Sequence, residues 1–275
     1  MPGIKNFKGK VVVITGAGSG IGRATAHAFA KEGAIPVIAD IHQERTENVE
    51  REIKALGVET SSMVVDVSDK AQVEALSKFV LDRYERVDIL HNNAGIGWGG
   101  PLEVFPLEDF QKVMAVNFWG VIYGVQSFLP QMIKQKSGHI VNTASGAGLN
   151  AVIPLGAYSA SKFAIVGYTE VLRAELRRHN IGVTAVCPGI INTNIVKDGK
   201  ATLIKGARAN QEKMAAFYKR FGWPPERVAK GVLKGIRKNK AIVPVGPEVW
   251  IGWYIKRFSI TLSDIINSII ARIAL

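Results

Sequence analysis

The stretch TGAGSGIGRATA, Thr15 to Ala26, joins an apolar run to a run with helical periodicity. The run before it, KVVVIT at Lys10 to Thr15, is rich in β-branched residues and is typical of a buried parallel strand. Gly16, Gly20 and Gly22 therefore lie in a strand-to-helix turn. The first N–H groups of a helix lack partners and carry a partial positive charge, so a turn free of side chains can bind a pyrophosphate.

Strand and helix patterns alternate along the rest of the chain. Strands are predicted at 11–15, 35–39, 60–65, 87–91, 138–143, 182–187 and 240–244. Helices are predicted at 20–32, 43–56, 69–84, 107–135, 157–179 and roughly 208–238. This alternation predicts a single-domain, Rossmann-type α/β fold, in which a doubly wound parallel sheet of about seven strands carries helices on both faces. Ligands of such sheets bind at the carboxyl ends of the strands.

Asp40 ends the second predicted strand, IPVIAD, 18 residues beyond Gly22. A carboxylate at this place can accept hydrogen bonds from both ribose hydroxyls of an adenosine, and it would repel a 2′-phosphate. Neither Ser19 nor Ile41 offers a positive charge to such a phosphate. The pattern favours NAD over NADP, although an aspartate here could also be a helix cap.

Tyr158 and Lys162 lie four residues apart in YSASK, so they share one face of a predicted helix. The ordinary pKa of a phenol, near 10, is too high for a base at neutral pH, and a neighbouring ammonium is expected to lower it. Such a tyrosine can exchange a proton with an alcohol or a carbonyl. Ser145, in VNTASG, could bind the same oxygen, or it could cap a turn.

With these motifs the sequence resembles the short-chain dehydrogenase/reductase family, in its branch of about 250 residues. The glycine spacing Gly-x-x-x-Gly-x-Gly is that family's pattern rather than the older Gly-x-Gly-x-x-Gly. The family's other marks follow in order over about residues 8–245: Asp66, NNAG at 92–95, Asn117, Ser145, Tyr158, Lys162, PG at 188–189 and Thr193.

The resemblance implies the roles of these residues. Tyr158 would be the catalytic acid/base, Ser145 would orient the reacting oxygen, and Lys162 would lower the pKa of Tyr158 and bind the nicotinamide ribose. Asn117 would hold a water that passes protons to solvent. The implied NAD-binding residues are Gly16, Gly18, Ser19, Gly20, Ile21, Gly22, Asp40, Asp66, Val67, Asn92, Ala94, Gly95, Tyr158, Lys162, Pro188, Gly189, Ile190 and Thr193. No metal is implied.

Substrate contacts are expected from three variable segments, Ile96–Pro106, Gly146–Gly156 and Ile190–Phe221. Neither of the first two segments is expected to offer a charged group to a substrate, although Glu103 lies in the first. A lipophilic secondary alcohol or ketone is therefore favoured over a sugar or hydroxy acid. The same residues could instead only cover the cofactor.

The chain's net charge of +12 lies almost entirely in its last 80 residues. Residues 1–195 carry 19 Lys and Arg against 18 Asp and Glu, whereas residues 196–275 carry 16 against 5. An anionic partner is one interpretation. A nucleic acid is not expected, because no recognised binding module is present. The sequence has one cysteine, Cys187, so an internal disulfide is excluded. Cys187 is expected to be an inert core thiol.

Residues 247–275 are predicted as an amphipathic helical extension of the catalytic domain, residues 1–246. Its apolar stripe is Ile255, Phe258, Leu262, Ile265, Ile266, Ile269, Ile270 and Ile273. Trp250, Trp253 and Tyr254 precede it, and Lys256, Arg257 and Arg272 flank it. This helix could pack on its own subunit, join the subunits of a homodimer or homotetramer, or lie in a membrane interface.

The expected function is hydride transfer between NAD and a small-molecule secondary alcohol or ketone. A regulator that binds the cofactor without turnover is the alternative, and the complete set of Asn117, Ser145, Tyr158 and Lys162 argues against it. The sequence shows no signal peptide and no uninterrupted apolar stretch of 18 residues, so a cytoplasmic protein is expected, with peripheral membrane contact as a variant.

Overall fold

The computed structural model describes residues 3–195, 198–199 and 207–274. Seven strands form one parallel sheet in the order β3-β2-β1-β4-β5-β6-β7, as predicted. They are β1 (Val11–Thr15), β2 (Ile35–Asp40), β3 (Ser61–Val64), β4 (Ile89–Asn92), β5 (Gly138–Thr143), β6 (Ile181–Pro188) and β7 (Ile242–Val245). Val13 of β1 stands beside Val37 on one side and Leu90 on the other. The strand order reverses between β1 and β4, and this is where ligands of doubly wound sheets bind.

Ten α-helices surround the sheet within the described residues. They are α1 (Gly20–Lys31), α2 (Gln43–Lys54), α3 (Lys70–Tyr84), α4 (Leu107–Met114), α5 (Gly120–Gln135), α6 (Gly156–Leu176), α7 (Ala207–Phe221), α8 (Pro225–Arg237), α9 (Pro247–Phe258) and α10 (Ile260–Ala274). The single α/β domain predicted from the alternating pattern is therefore confirmed.

Alternate side chains of the strands build two cores, one on each face of the sheet. Val11 and Val13 of β1 pack with α3, α5 and α6, whereas Val12 and Ile14 pack with α1, α2 and α8. The strands are apolar on both faces for this reason, as is usual for parallel sheets covered by helices. Cys187 lies fully buried and unbridged in β6, and burial raises the pKa of its thiol to about 12.

Two predicted helices are interrupted. The helix predicted at 107–135 contains a π-helical turn, Ala115–Trp119, between α4 and α5. The 29-residue stretch Leu107–Gln135 has the length and the mean hydropathy, 1.2, of a helix that could cross a membrane. In the structure, however, α5 packs its apolar face against α3 and the sheet. The helix predicted near 208–238 divides into α7 and α8, because Pro224 and Pro225 follow Gly222 and restart the helix.

The C-terminal extension is two helices, not the single helix that the stripe predicted. Ser259 has extended backbone angles, φ −151° and ψ 111°, and it separates α9 from α10. Trp253 and the buried Val249 of α9 pack on the domain core, so packing on the same subunit is confirmed for α9. The side chains of Ile270, Arg272 and Ile273, which were included in the prediction, lie outside the described part of the structure.

Candidate active site

The glycine turn after β1 leaves no room for a side chain at Gly16 or Gly22. Gly16 has φ +63°, in the left-handed region that favours glycine. A Cβ on Gly22 would lie 2.1 Å from the Gly16 carbonyl oxygen. Ser19 is the N-cap residue of α1, but within the described residues its hydroxyl makes no capping hydrogen bond. The first N–H groups of α1 thus remain directed out of the turn, where an anion can accept from them.

Asp40, at the end of β2, is fixed beside this turn by two backbone N–H groups. Its Oδ2 accepts the Gly18 N–H at 2.9 Å, and its Oδ1 accepts the His42 N–H at 3.0 Å. The residue is only 8% exposed. The Cβ of Arg45 lies close to Gly18, and the Arg45 guanidinium pairs with Asp198 at 2.9 Å. No pattern in the sequence indicates that Arg45 lies beside this turn. The Asp40 carboxylate therefore has a set position next to the turn.

The turns after β3 and β4 complete the edge of the predicted nucleotide site. Asp66 follows β3 and accepts hydrogen bonds from the backbone and hydroxyl of Ser68. The Asn92 side chain points into the core, where it donates to Asn142 at 2.9 Å, so only its backbone faces the strand end. Asn93 makes the contacts with the glycine turn instead, since its Nδ2 donates to the carbonyls of Thr15 and Gly16.

Three of the four predicted catalytic side chains come from the end of β5 and from α6. Ser145 follows β5, where its hydroxyl caps the next turn by accepting the Ala147 N–H at 3.1 Å. It also lies near enough to Tyr158 to lower the pKa of that phenol. Lys162 is one turn along α6 from Tyr158, is only 3% exposed, and donates to the Thr143 carbonyl at 2.9 Å. Its Nζ lies 5.6 Å from the centre of the Tyr158 ring. The structure therefore brings the hydroxyl, the phenol and the ammonium together.

Burial dominates the protonation of this cluster. It raises the pKa of Tyr158 to about 12, against the lowering effect of the Ser145 hydrogen bond. It also lowers the pKa of Lys162 to about 8. The expectation that Lys162 brings the pKa of Tyr158 below its ordinary value is not met in the protein by itself, because burial raises that pKa and only Ser145 opposes the rise. The phenol is consequently a proton donor at neutral pH.

Asn117 lies in the π-helical turn, a feature often found at functional sites. Its Oδ1 accepts the Ile96 N–H at 2.8 Å, while its Nδ2 donates to the Ile96 carbonyl and to Ser161 Oγ. Asn117 thereby fixes the segment that follows β4 against α6. Its predicted role in holding a water remains a prediction.

Strand β6 ends at Pro188, and the turn that follows it contains Gly189, Ile190 and Thr193. The Thr193 methyl group lies against Gly20, so this turn closes over the start of α1. The Ile190 N–H donates to Glu248 of α9 at 3.0 Å. Glu248 is 58 residues away from Ile190 in the chain, and no pattern in the sequence indicates this contact.

The predicted substrate segments meet beside this cluster. The Gly100 N–H donates to the Pro154 carbonyl at 2.9 Å, which joins the first segment to the second. A Cβ on Gly97 would lie 3.0 Å from Ile195, which joins the first segment to the third. Residues 196–197 and 200–206 of the third segment lie outside the described residues. The side chains at these junctions, Leu155, Leu102 and Ile195, are apolar.

The described residues fit a nicotinamide dinucleotide. A Cβ on Gly95 would lie 3.1 Å from Asn117 Oδ1 and 3.4 Å from Lys162 Nζ, so the absence of a side chain lets the backbone after β4 pack closely against two of the predicted catalytic residues. The uncapped start of α1 can take a pyrophosphate, and Asp40 can take ribose hydroxyls. Asp66 and Val67 stand at the end of β3, on the far side of Asp40 from the catalytic cluster.

Comparison with known proteins identifies the family. The sequence profile of the short chain dehydrogenases matches residues 10–203. A levodione reductase from Leifsonia aquatica is 38% identical over 232 residues, which cover 81% of this chain and 86% of the relative. A Mycobacterium tuberculosis protein named "Probable oxidoreductase EphD" is 40% identical over 259 residues, and the chain spans only 43% of its length.

The fold comparison agrees. A short chain dehydrogenase/reductase from Burkholderia phymatum, solved in complex with NAD, has 33% identity and a TM-score of 0.88 over 94% of this chain and 96% of that one. The glycine turn, the Ser145–Tyr158–Lys162 cluster and these matches lead to one conclusion: the chain belongs to the short-chain dehydrogenase/reductase family.

Proposed function

We propose that the protein is an NAD(H)-dependent oxidoreductase that interconverts a lipophilic secondary alcohol and the corresponding ketone. The observation that carries the proposal is the cluster of Ser145, Tyr158 and Lys162, which lies at the carboxyl ends of the strands with the backbone of Gly95 packed against Lys162. A bound nicotinamide would supply the hydride acceptor or donor, which side chains cannot. The protein's own residues would hold the substrate oxygen and move its proton.

In the direction of ketone reduction, Tyr158 would donate its phenolic proton to the carbonyl oxygen as the hydride reaches the carbon. Ser145 would hydrogen-bond the same oxygen and stabilise the charge that develops on it. The Lys162 ammonium, fixed by the Thr143 carbonyl, would stabilise the phenolate that remains. In alcohol oxidation each proton transfer runs in reverse, and Tyr158 must first lose its proton.

The preference for NAD(H) is supported by Asp40. Its carboxylate is buried and held by Gly18 and His42, so it cannot turn away from a 2′-phosphate without breaking two hydrogen bonds. Arg45 is already paired with Asp198, which weakens it as a phosphate ligand. The Burkholderia relative was solved with NAD, in line with this proposal.

A lipophilic substrate is supported by the apolar residues where the three variable segments meet. Leu102, Leu155 and Ile195 lie at these junctions, and none of them can bind the hydroxyls of a sugar or the carboxylate of a hydroxy acid. The experiment that tests the proposal is a panel of secondary alcohols and ketones of increasing chain length, each assayed with NAD(H) and NADP(H) through the absorbance of reduced nicotinamide.

Activity that increases with chain length and is higher with NAD(H) is expected. Activity only on sugars or hydroxy acids would contradict the substrate class, and higher kcat/KM with NADP(H) would contradict the cofactor assignment. Binding of the cofactor with no turnover of any member would favour a regulator.

We also propose that α10 contacts either an anionic membrane surface or a second subunit of a homodimer or homotetramer. Ile260, Ile265 and Ile269 of α10 are 76%, 52% and 54% exposed, and such an apolar face drives association. Full-length protein and a chain cut after Gly246 would be compared by flotation with anionic vesicles and by light scattering. Loss of vesicle binding identifies lipid, a smaller complex identifies a subunit contact, and no change in either refutes both.

A further inference from the structure

The first turn of α9 lies against two turns of the candidate active site. Glu248 Oε1 accepts the Ile190 N–H at 3.0 Å. The next residue, Val249, is buried, and a Cβ on Gly146 would lie 3.0 Å from its Cγ2. Gly146 directly follows Ser145, and Ile190 follows the end of β6. One helical turn of the C-terminal extension therefore contacts both the catalytic loop and the turn that closes over α1.

The rest of the inward face of α9 continues along the catalytic loop. A Cβ on Gly252 would lie 2.7 Å from the Asn150 side-chain nitrogen. Lys256 donates to the Leu149 carbonyl at 3.1 Å, and its Nζ lies 4.3 Å from the centre of the Phe163 ring on α6. Contacts one turn apart thus fix α9 along the loop that begins at Ser145.

Glu248 also acts on a third element, α7. Burial raises the pKa of Tyr218, and the Glu248 carboxylate raises it further. Tyr218 in turn contributes to the raised pKa of Tyr158. The charge of the Glu248 carboxylate therefore acts on the residue of α7 that in turn acts on the catalytic tyrosine.

We propose that Glu248 is a positioning residue that fixes the Ile190 turn, so that α9 forms part of the active site. A backbone N–H in a turn can point in several directions, and a carboxylate acceptor selects one of them. The inference rests on the proposed function for its effect on cofactor affinity, because Ile190 is one of the NAD-binding residues that the resemblance implies. The hydrogen bond itself does not depend on that function.

The test compares Glu248→Ala and Glu248→Gln in the full chain. Glu248→Ala removes the acceptor, so the dissociation constant and KM for NADH are expected to rise about tenfold, with a smaller change in kcat. Glu248→Gln keeps a carbonyl acceptor and is expected to stay within about threefold of the wild type. Hydrogen exchange at a peptide containing Ile190 is expected to accelerate in Glu248→Ala and much less in Glu248→Gln.

Glu226→Ala is the matched control. Helix α8 begins with Pro225–Glu226 as α9 begins with Pro247–Glu248, so the control removes the same side chain from the same helical position. An equal effect of Glu226→Ala, unchanged NADH affinity in Glu248→Ala, or no rescue by glutamine would overturn the proposal. If the wild type binds no nicotinamide nucleotide, the proposed function fails, and unchanged exchange at Ile190 in Glu248→Ala would overturn the positioning role separately.

Discussion

Replacing Asp40 by alanine should change the preference between NAD and NADP. In the wild type, a 2′-phosphate on the ribose would lie close to a carboxylate that is only 8% exposed. The hydrogen bonds from Gly18 and His42 prevent that carboxylate from moving away. The two negative groups must therefore repel each other at short range.

The size of the effect follows from this geometry. Two unit charges about 4 Å apart repel by about 4 kcal/mol at an effective dielectric constant of about 20. This corresponds to about a thousandfold in binding, since each 1.4 kcal/mol or so is tenfold. Screening by dissolved salt offsets part of the repulsion. We expect the ratio of kcat/KM for NADP(H) to kcat/KM for NAD(H) to rise by about 10²–10³ in Asp40→Ala.

The assay measures kcat/KM with both nucleotides for the wild type and for Asp40→Ala on one substrate. Asp66→Asn is the control, because this carboxylate belongs to the next strand end and should change both nucleotides alike. A ratio that moves by less than about threefold in Asp40→Ala, or equally in both variants, would refute the assignment of Asp40 to the ribose.

Two further predictions concern the phenol cluster and the glycine turn. The rate of ketone reduction should be constant with pH up to neutrality. It should fall as Lys162 loses its proton near its pKa of about 8, while Tyr158, with a pKa of about 12, stays protonated. The same fall in rate near pH 8 in Lys162→Met would contradict this. Gly22→Ala should lower the melting temperature and abolish NADH binding, because its Cβ would meet the Gly16 carbonyl at 2.1 Å. Gly167→Ala, inside α6 where a Cβ meets nothing within 4 Å, should leave NADH binding unchanged and raise the melting temperature slightly. Equal effects of the two substitutions would contradict the steric reason.

The sequence predicted the features that depend on neighbouring residues. The glycine turn, Asp40 and the Tyr158–Lys162 pair each occupy one short segment, and the periodic patterns predicted all seven strands to within two residues. The strand ends then brought these segments to one edge of the sheet, as the topology of a doubly wound fold requires.

Features that depend on distant packing were missed or wrong. The Glu248–Ile190 contact joins residues far apart in the chain, and no local pattern marks it. Asn92 and Asn93 are adjacent amides, and only the pleat of β4 decides which one faces the glycine turn and which one faces Asn142. The apolar stripe of the extension has the same spacing on either side of Ser259, so it could not indicate the break between α9 and α10. The raised pKa of Tyr158 follows from burial, which a four-residue spacing does not contain.

The central claim is that Tyr158 carries the proton during hydride transfer. The most direct measurement compares the wild type with Tyr158→Phe. It follows turnover of a ketone that the wild type reduces, and it measures NADH binding by fluorescence titration. The substitution removes one hydroxyl and leaves the ring above Lys162 in place. We predict a loss of turnover of about 10²–10⁴-fold, with the dissociation constant for NADH within about twofold. Turnover within about threefold of the wild type would show that another group carries the proton and would contradict the claim.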